Sequence, residues 1–243
     1  MSGAKNCPET PRQRMIGMMY LVLTAMLALN VSSEILNGFT MVDNSLHSTI
    51  ESSNMRNAVL YEDFNYLDKQ NHAKVGAWLE KAKHITKQSD ELFNYIEKFK
   101  IDIIKLADKE EADPRGRVIK AQDNLDVAGQ YALLGGKGKD LKAKIDAYCD
   151  TLVNNVEGNK TKQKMFKTIF STDKVKSQKT GEMMPWENAI FEMMPVSAVV
   201  TILTKYQSDI RASESEMIQS LKGRLDQNDD GEKRRKAEVV AKS

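Results

Sequence analysis

The stretch WLEKAKHITKQSDELFNYIEKFKIDIIKL, residues 78–106, decides the fold of this chain. Its apolar and small residues recur at spacings that alternate between four and three, and they are Trp78, Ala82, Ile85, Ser89, Leu92, Ile96, Phe99, Ile103 and Leu106. A helix brings residues at this spacing onto one narrow stripe, which is the seam of an antiparallel bundle or coiled coil. The stretch therefore predicts a long helix that packs lengthwise against other helices.

A second stretch has the same alternation, through Val199, Leu203, Tyr206, Ile210, Ser213 and Met217. A segment at 39–67 also has helical spacing, but its middle, 48–57, is polar, and we expect that part to pack loosely. Shorter helices are predicted at 118–134, 140–156 and 160–169, separated by Gly- or Pro-containing breaks, and 171–185 is predicted to be a loop or hairpin. The fold class is all-α, with a helical bundle domain over 37–227.

The composition agrees with long helices, because the 243 residues include only 13 Gly and 5 Pro. The net charge of +2 argues neither for nor against nucleic acid, and we expect no nucleic-acid partner. Cys7 and Cys149 are far apart and are predicted to be unpaired thiols, with Cys149 packed in a helix interface.

The segment from Met15 to Ser33 contains no charged residue. As a helix it would be roughly 28 Å long, close to the hydrocarbon thickness of a bilayer. Lys5, Arg12 and Arg14 precede it and Glu34 is the first charge after it, so the positive-inside rule places the N-terminus in the cytoplasm. A cleaved signal peptide, a buried core helix and a lipoprotein signal all fit less well. We expect a cytoplasmic segment at 1–10, a transmembrane helix at 11–36 and the bundle on the periplasmic side.

The start of this helix is predicted from Thr10 and Gln13, which can form a capping box around Pro11. Small and apolar residues share one face of the helix and could pack on another membrane helix, although Gly and Ala are common in any such helix; they are Gly17, Leu21, Thr24 and Ala28. No acidic residue lies between Glu9 and Glu34. The helix therefore cannot relay protons by itself, and any titrating acid must come from a partner.

The C-terminal residues differ from the bundle. The run Asp226–Gly231 is predicted to break the last helix, and 237–241 has the composition of a strand. Residues 228–243 are thus expected to be a linker and the first strand of a further β domain.

Other constellations are weak. The glycines and lysines of 135–139 lack the spacing and the hydroxyl residue of a phosphate-binding loop. His47, His72 and His84 lack ligand spacing, and no catalytic arrangement is readable, so we expect no metal, no cofactor and no enzyme activity. The Met- and Trp-rich segment 183–195 is either a packed entry into the last helix or an exposed contact surface.

Three segments resemble the GldM/PorM family. They are TPRQRMI at 10–16 with MMYLVLTAMLALNVSSE at 18–34, MPWENAIFE at 184–192, and KAEVVAKS at 236–243. The resemblance covers nearly the whole chain and is most specific at the N-terminus. It implies a single-pass subunit of the inner-membrane motor that drives type IX secretion and gliding.

The same resemblance implies partners and site residues. The chain would form a homodimer whose membrane helices lie inside five copies of a GldL- or PorL-type protein, and missing C-terminal domains would reach secretion components near the outer membrane. Arg12 and Tyr20 match the positions that meet a membrane glutamate of the ring, and this contact would couple proton flow to motion. Arg14 is expected to face the headgroups. The alternative is a single-pass receptor with a periplasmic four-helix sensor bundle.

Overall fold

The computed structural model describes residues 11–29, 32–113, 118–156, 158–177 and 180–242, and it describes side chains in these ranges at 11–22 and 32–225. The elements in chain order are α1 Pro11–Leu29, α2 Ser33–Gln70, α3 His72–Asp108 followed by a 3-10 turn Lys109–Glu111, α4 Val127–Gly129 continued by a π-helical turn Gln130–Leu134, α5 Lys137–Asn155, α6 Lys160–Ile169, β1 Val175–Lys176, β2 Met183–Met184, α7 Trp186–Phe191 and α8 Val196–Lys242. The all-α prediction is therefore correct, apart from a two-strand hairpin within the segment expected to be a loop or hairpin.

The first two helices divide the segment that was predicted to be one transmembrane helix at 11–36. The first, α1, ends at Leu29, and α2 starts at Ser33 with the side chain of Ser32 accepting a hydrogen bond from the Ile35 N–H. Glu34 to Leu36 thus belong to α2, because Ser32 provides a helix N-cap within the predicted span. Among the described residues, no helix combines the length and apolarity needed to cross a bilayer.

Three long helices form the frame of the domain. Asn71 alone joins α2 to α3: its N–H donates to the Leu67 carbonyl, and its side chain accepts from the Lys74 N–H. The α2 and α3 helices therefore form a tight antiparallel hairpin. Helix α8 runs parallel to α2, since Thr201 Oγ1 donates to the Phe39 carbonyl near one end and Lys222 pairs with Asp63 near the other.

The two predicted seams are the core of this frame. Ala82, Ile85, Ile96 and Ile103 are fully buried, whereas Leu106 at the end of the first seam is 51% exposed. Every residue of the second seam is buried: Val199, Leu203, Tyr206, Ile210, Ser213 and Met217. Burial of such side chains contributes roughly 1.5–3 kcal/mol each, so these stripes supply most of the driving force for packing.

The shorter helices close one side of the frame around an aromatic cluster. Phe99 of α3 lies edge-on to Tyr131, with ring centroids 4.9 Å apart, and 5.5 Å from Phe191 of α7. Trp186 donates its indole N–H to the Tyr206 hydroxyl at 3.1 Å. Trp186 and Phe191 are thus core residues, as the packed reading of 183–195 expects.

The helix predicted over 118–134 is wrong at its start, because residues 118–126 are irregular. Both oxygens of Asp108 accept backbone hydrogen bonds there, from Lys120 at 2.9 Å and from Ala121 at 2.8 Å. Val196 and Ser197 at the start of α8 donate to the carbonyls of Asn124 and Gln122. These tertiary bonds take up backbone groups that a helix would use itself.

Two further expectations are corrected. The polar middle of α2 packs tightly, because Ser53 and Asn57 are buried and Asn57 bonds to α8. The C-terminal break at 226–231 and the strand at 237–241 are helical, since α8 continues to Lys242. Residues 232–238 are all strong helix formers, and none of them branches at Cβ. Gly231 costs a helix only about 1 kcal/mol relative to alanine.

Lys109 ends α3 in a strained backbone conformation, with φ 54° and ψ −122°. An L-residue is disfavoured there and glycine is not. We expect Lys109→Gly to raise the free energy of unfolding by about 1 kcal/mol. Chemical denaturation would measure it, with Lys105→Gly, one turn earlier inside α3, as a control that should lose about 1 kcal/mol. A lower free energy of unfolding in both variants would show that the backbone at Lys109 is not strained.

Candidate functional site

The residues predicted to act in the membrane lie on α1. Arg12, Gln13 and Gly17 are exposed, and Tyr20 and Leu21 are 69% and 72% exposed. An added Cβ at Gly17 would meet nothing within 4 Å, so this face is open at Gly17 and at the exposed Leu21. Thr10 lies outside the described residues, and Thr24 and Ala28 are helical with side chains that are not described. Arg12 and Tyr20 are about two turns, roughly 12 Å, apart along the axis.

A group of polar residues, here named the first polar layer, crosses the interface of α2, α3 and α8. Its members are Asp43 and His47 of α2, Glu97 and Lys100 of α3, and Thr204 and Gln207 of α8. The Lys100 ammonium is 2.9 Å from the Glu97 carboxylate and donates to the Thr204 hydroxyl at 3.2 Å. Gln207 donates to the same carboxylate at 2.9 Å. One cation thus holds two helices together where apolar packing would otherwise be expected.

Two carboxylates of this layer are kept ionised by their neighbours. Burial would raise the pKa of Asp43, but hydrogen bonds from His47 and Thr204 and the charges of His47 and Lys100 hold the pKa below its ordinary value. Burial would likewise raise the pKa of Glu97, but the charge and hydrogen bond of Lys100 lower it further. Both carboxylates are therefore ionised at neutral pH. Glu97 depends mainly on Lys100, whereas Asp43 depends first on its hydrogen bonds from His47 and Thr204.

A second polar layer lies farther along the same three helices. Its members are Asn57 of α2, Thr86 and Asp90 of α3, and Arg211, Glu214 and Ser215 of α8. The Arg211 guanidinium pairs with Asp90 at 2.7 Å and with Glu214 at 2.9 Å, and it lies over the Phe93 ring. Asn57 donates to the Arg211 carbonyl and accepts from the Ser215 hydroxyl.

The acid in the second layer differs from those in the first. Burial raises the pKa of Glu214 by more than the hydrogen bond and charge of Arg211 lower it. Burial would also lower the pKa of Arg211, yet Asp90 and Glu214 together raise it. The guanidinium is therefore firmly charged and binds two acids, of which one is buried and one is solvated.

The two layers limit how the helices can slide. An apolar interface tolerates small shifts, but a buried charge that loses its partner costs several kcal/mol. Buried charges therefore fix α3 against α8. Helix α2 is held by hydrogen bonds at two points roughly 21 Å apart, through Asp43 in the first layer and Asn57 in the second. We interpret the layers as a register lock between α2, α3 and α8.

Sequence reasoning missed these layers because it assigned charged residues to solvated faces. One signal was present: Lys100 lies four residues from both Ile96 and Ile104, which places it on the buried stripe of α3. The position of Arg211 was less informative. It directly follows the seam residue Ile210, and a residue there can lie either in the interface or at its solvent-exposed edge.

Other predicted features are placed as follows. Cys149 is buried in the interface of α5 and α6, where its thiol lies 3.7 Å from the Phe166 carbonyl, as expected. The described part of the chain contains no group of three or more His, Cys, Asp or Glu residues arranged to hold a metal ion.

The comparisons with known proteins give a family for this fold. The model of the family described as the GldM N-terminal domain matches residues 34–224, which includes both polar layers. No curated protein matches the chain.

We expect Lys100→Met to lower the free energy of unfolding by about 2 kcal/mol at neutral pH, because Glu97 loses its cation and Asp43 loses part of its positive surroundings. In the native protein, acids with a lowered pKa contribute stability above their ordinary values of 3.8 and 4.5 and lose it as the pH falls through the lower folded values. The difference between the variant and the native protein should therefore shrink in acid.

Urea denaturation across this pH range measures the effect. Lys98→Met, on the exposed side of the same helix turn, is the matched control and should change little. A pH-independent difference for Lys100→Met would mean that the lysine stabilises through packing of its stem alone.

Proposed function

This chain belongs to the GldM family, and we propose that it is the membrane-anchored subunit that transmits force in the machinery where that family works. GldM proteins are components of gliding motility and type IX secretion machinery. The proposal is that α1 is the anchor and drive helix, and that the domain from α2 to α8 is the first rigid segment of a periplasmic shaft.

The register lock is the observation that carries this proposal. A segment that transmits force needs its helices to move together, and slippage between them would dissipate the displacement. The α2 helix is 38 residues long, about 57 Å, and it is tied to α8 near both ends and at both polar layers. Such a helix supports rigid-body transmission along most of the domain.

Anchoring by α1 is supported by the sequence. The uncharged run from Met15 to Ser33 is long enough for a bilayer, and the basic residues before it favour a cytoplasmic N-terminus. We propose a single-pass protein of the bacterial inner membrane. The exposed apolar surface of α1, which includes Met15, Met18 and Leu21, fits contact with lipid or with other membrane helices.

Proton coupling would then depend on a partner. No acid lies within the uncharged run, so we propose that a GldL-type ring supplies the carboxylate and that Arg12 and Tyr20 receive it. An arginine favours an ionised carboxylate, and a phenol can donate a hydrogen bond to it. One proton that crosses the membrane provides roughly 2.3 kcal/mol per 100 mV, comparable to breaking one such pair.

The stoichiometry is also a proposal. Two copies of this chain within five ring subunits would place two α1 helices face to face along Gly17 and Leu21, where each chain alone leaves the surface open. Five identical carboxylates cannot all meet two arginines at once, so protonation of one would release it and let the ring step.

We expect Arg12→Ala and Tyr20→Phe each to abolish or strongly reduce type IX secretion at native protein levels, because each removes a group that meets the ring carboxylate. Secretion of a reporter cargo and co-purification of the ring partner are the measurements. Arg14→Ala is the matched control and should leave secretion near the native level. Normal secretion in both Arg12→Ala and Tyr20→Phe would refute the coupling role, and a chain that purifies alone as a monomer would refute the ring.

The register lock can be tested apart from stability. Arg211→Met alone should lower the free energy of unfolding by about 3 kcal/mol, since Glu214 then stays buried without its cation. The double variant Arg211→Met, Glu214→Leu removes the buried pair and should be within about 1 kcal/mol of the native protein, or more stable.

If the polar layer sets register, the double variant should secrete poorly although it is stable and present at native levels. A stable double variant that secretes normally would show that the layer has no part in transmission.

A further inference from the structure

The α6 helix has the most one-sided charge in the described structure. Its sequence KTKQKMFKTI contains four lysines and no acidic residue, whereas the whole chain has a net charge of only +2. The rest of the chain is therefore net negative. The register lock does not use this charge, because no lysine of α6 belongs to either polar layer.

Three of the lysines form a single exposed row. Lys160, Lys164 and Lys167 follow one another at spacings of four and three, and all three are exposed. In the described structure none of them has an ion pair. Lys162 points the other way and pairs with Glu216 of α8 at 2.6 Å. The one α6 lysine that faces the bundle thus already has a carboxylate partner. The outer row has only Asp173 beside it in a shallow groove, and no ion pair joins these described residues.

This row is unfavourable for the helix that carries it. Like charges at such spacings destabilise a helix by a few tenths of a kcal/mol per pair. The first turn holds Lys160 and Lys162 and no acid, which opposes the helix dipole. A charge arrangement that destabilises its own helix, and that forms no compensating contact within the fold, is typical of a functional surface.

The row is nevertheless held rigidly. Phe166 on the opposite face is fully buried, and the Asn159 side chain caps the helix by accepting from the Lys162 N–H. The backbone positions of the three lysines therefore rise by roughly 6 and 4.5 Å along a fixed axis. Carboxylates on a partner helix at the same spacing would match them.

We propose that the outer face of α6 docks a protein partner that presents a row of carboxylates. The alternatives fit less well. A lipid surface is one alternative. Lys162 pairs with Glu216 beside the second polar layer, which lies roughly 36 Å along α2 from Ser33. If the membrane ends near Ser33, as proposed above, the row is too far from it to contact lipid. The row has no exposed aromatic residue between its lysines, which the stacking mode of single-stranded nucleic acid would require.

Lysine acetylation of the full chain in detergent, read by mass spectrometry, tests the surface with poly-L-glutamate as the probe. We expect the probe to protect Lys160, Lys164 and Lys167, and not the exposed lysines Lys69, Lys87 and Lys98. The triple glutamine variant of the row should bind the probe about tenfold more weakly, and the triple glutamine variant of the control lysines should bind it as the native chain does.

A stability measurement separates docking from a structural role. Lys160→Glu should raise the melting temperature by about 2 °C, because it removes a like-charge pair and places an acid at the helix start. A lower melting temperature would overturn the proposal, since the lysine would then serve the fold. Equal protection of row and control lysines would overturn it too, as would protection by phosphatidylglycerol micelles without protection by the probe.

In cells, a photo-crosslinking residue in place of Thr168, beside the row, should join a protein segment rich in Asp and Glu. Crosslinks only to lipid, or to segments without carboxylates, would contradict the proposal.

Discussion

The ammonium group of Lys100, buried between α2, α3 and α8, is the interaction on which the domain's geometry depends. Removing a charge from water is costly, and the cost is recovered only where the partner atoms are in place. Glu97 supplies its countercharge from the same helix, whereas Thr204 of α8 can accept from it only when α3 and α8 are in register. Arg211 sets the same condition farther along. The apolar seams decide that the helices associate, and the two cations decide where.

This division explains which parts of the fold could be predicted. The spacing of seam residues such as Ile85, Leu92 and Ile96 predicts that they are buried, as they are. The long helices and their core faces can therefore be predicted from the sequence. The register does not, because Lys100 and Arg211 look like surface residues until their partners on other helices are known. The charged residues that fix the helix register are therefore the ones that the sequence pattern alone would assign to the solvent-exposed surface.

The errors elsewhere have related causes. Residues 118–126 have helical composition, but Asp108 and the start of α8 bind their backbone groups, and tertiary bonds outweigh propensity. Residues 237–241 have the composition of a strand, yet no strand partner is present among the described residues and the segment continues the helix. Of the candidate site, the α1 residues came from motif resemblance, whereas the polar layers required side-chain positions.

The parallel arrangement of α2 and α8 has a mechanical consequence. The chain enters the domain at the start of α2 and leaves the bundle along α8, and these two ends lie at opposite poles of the bundle. A pull between them loads the interface in shear, so contacts along its whole length, with both polar layers, resist together. An antiparallel pair pulled at adjacent ends would instead open like a zipper, one contact at a time. The up-down-up topology thus lets contacts that are individually weak sustain tension together.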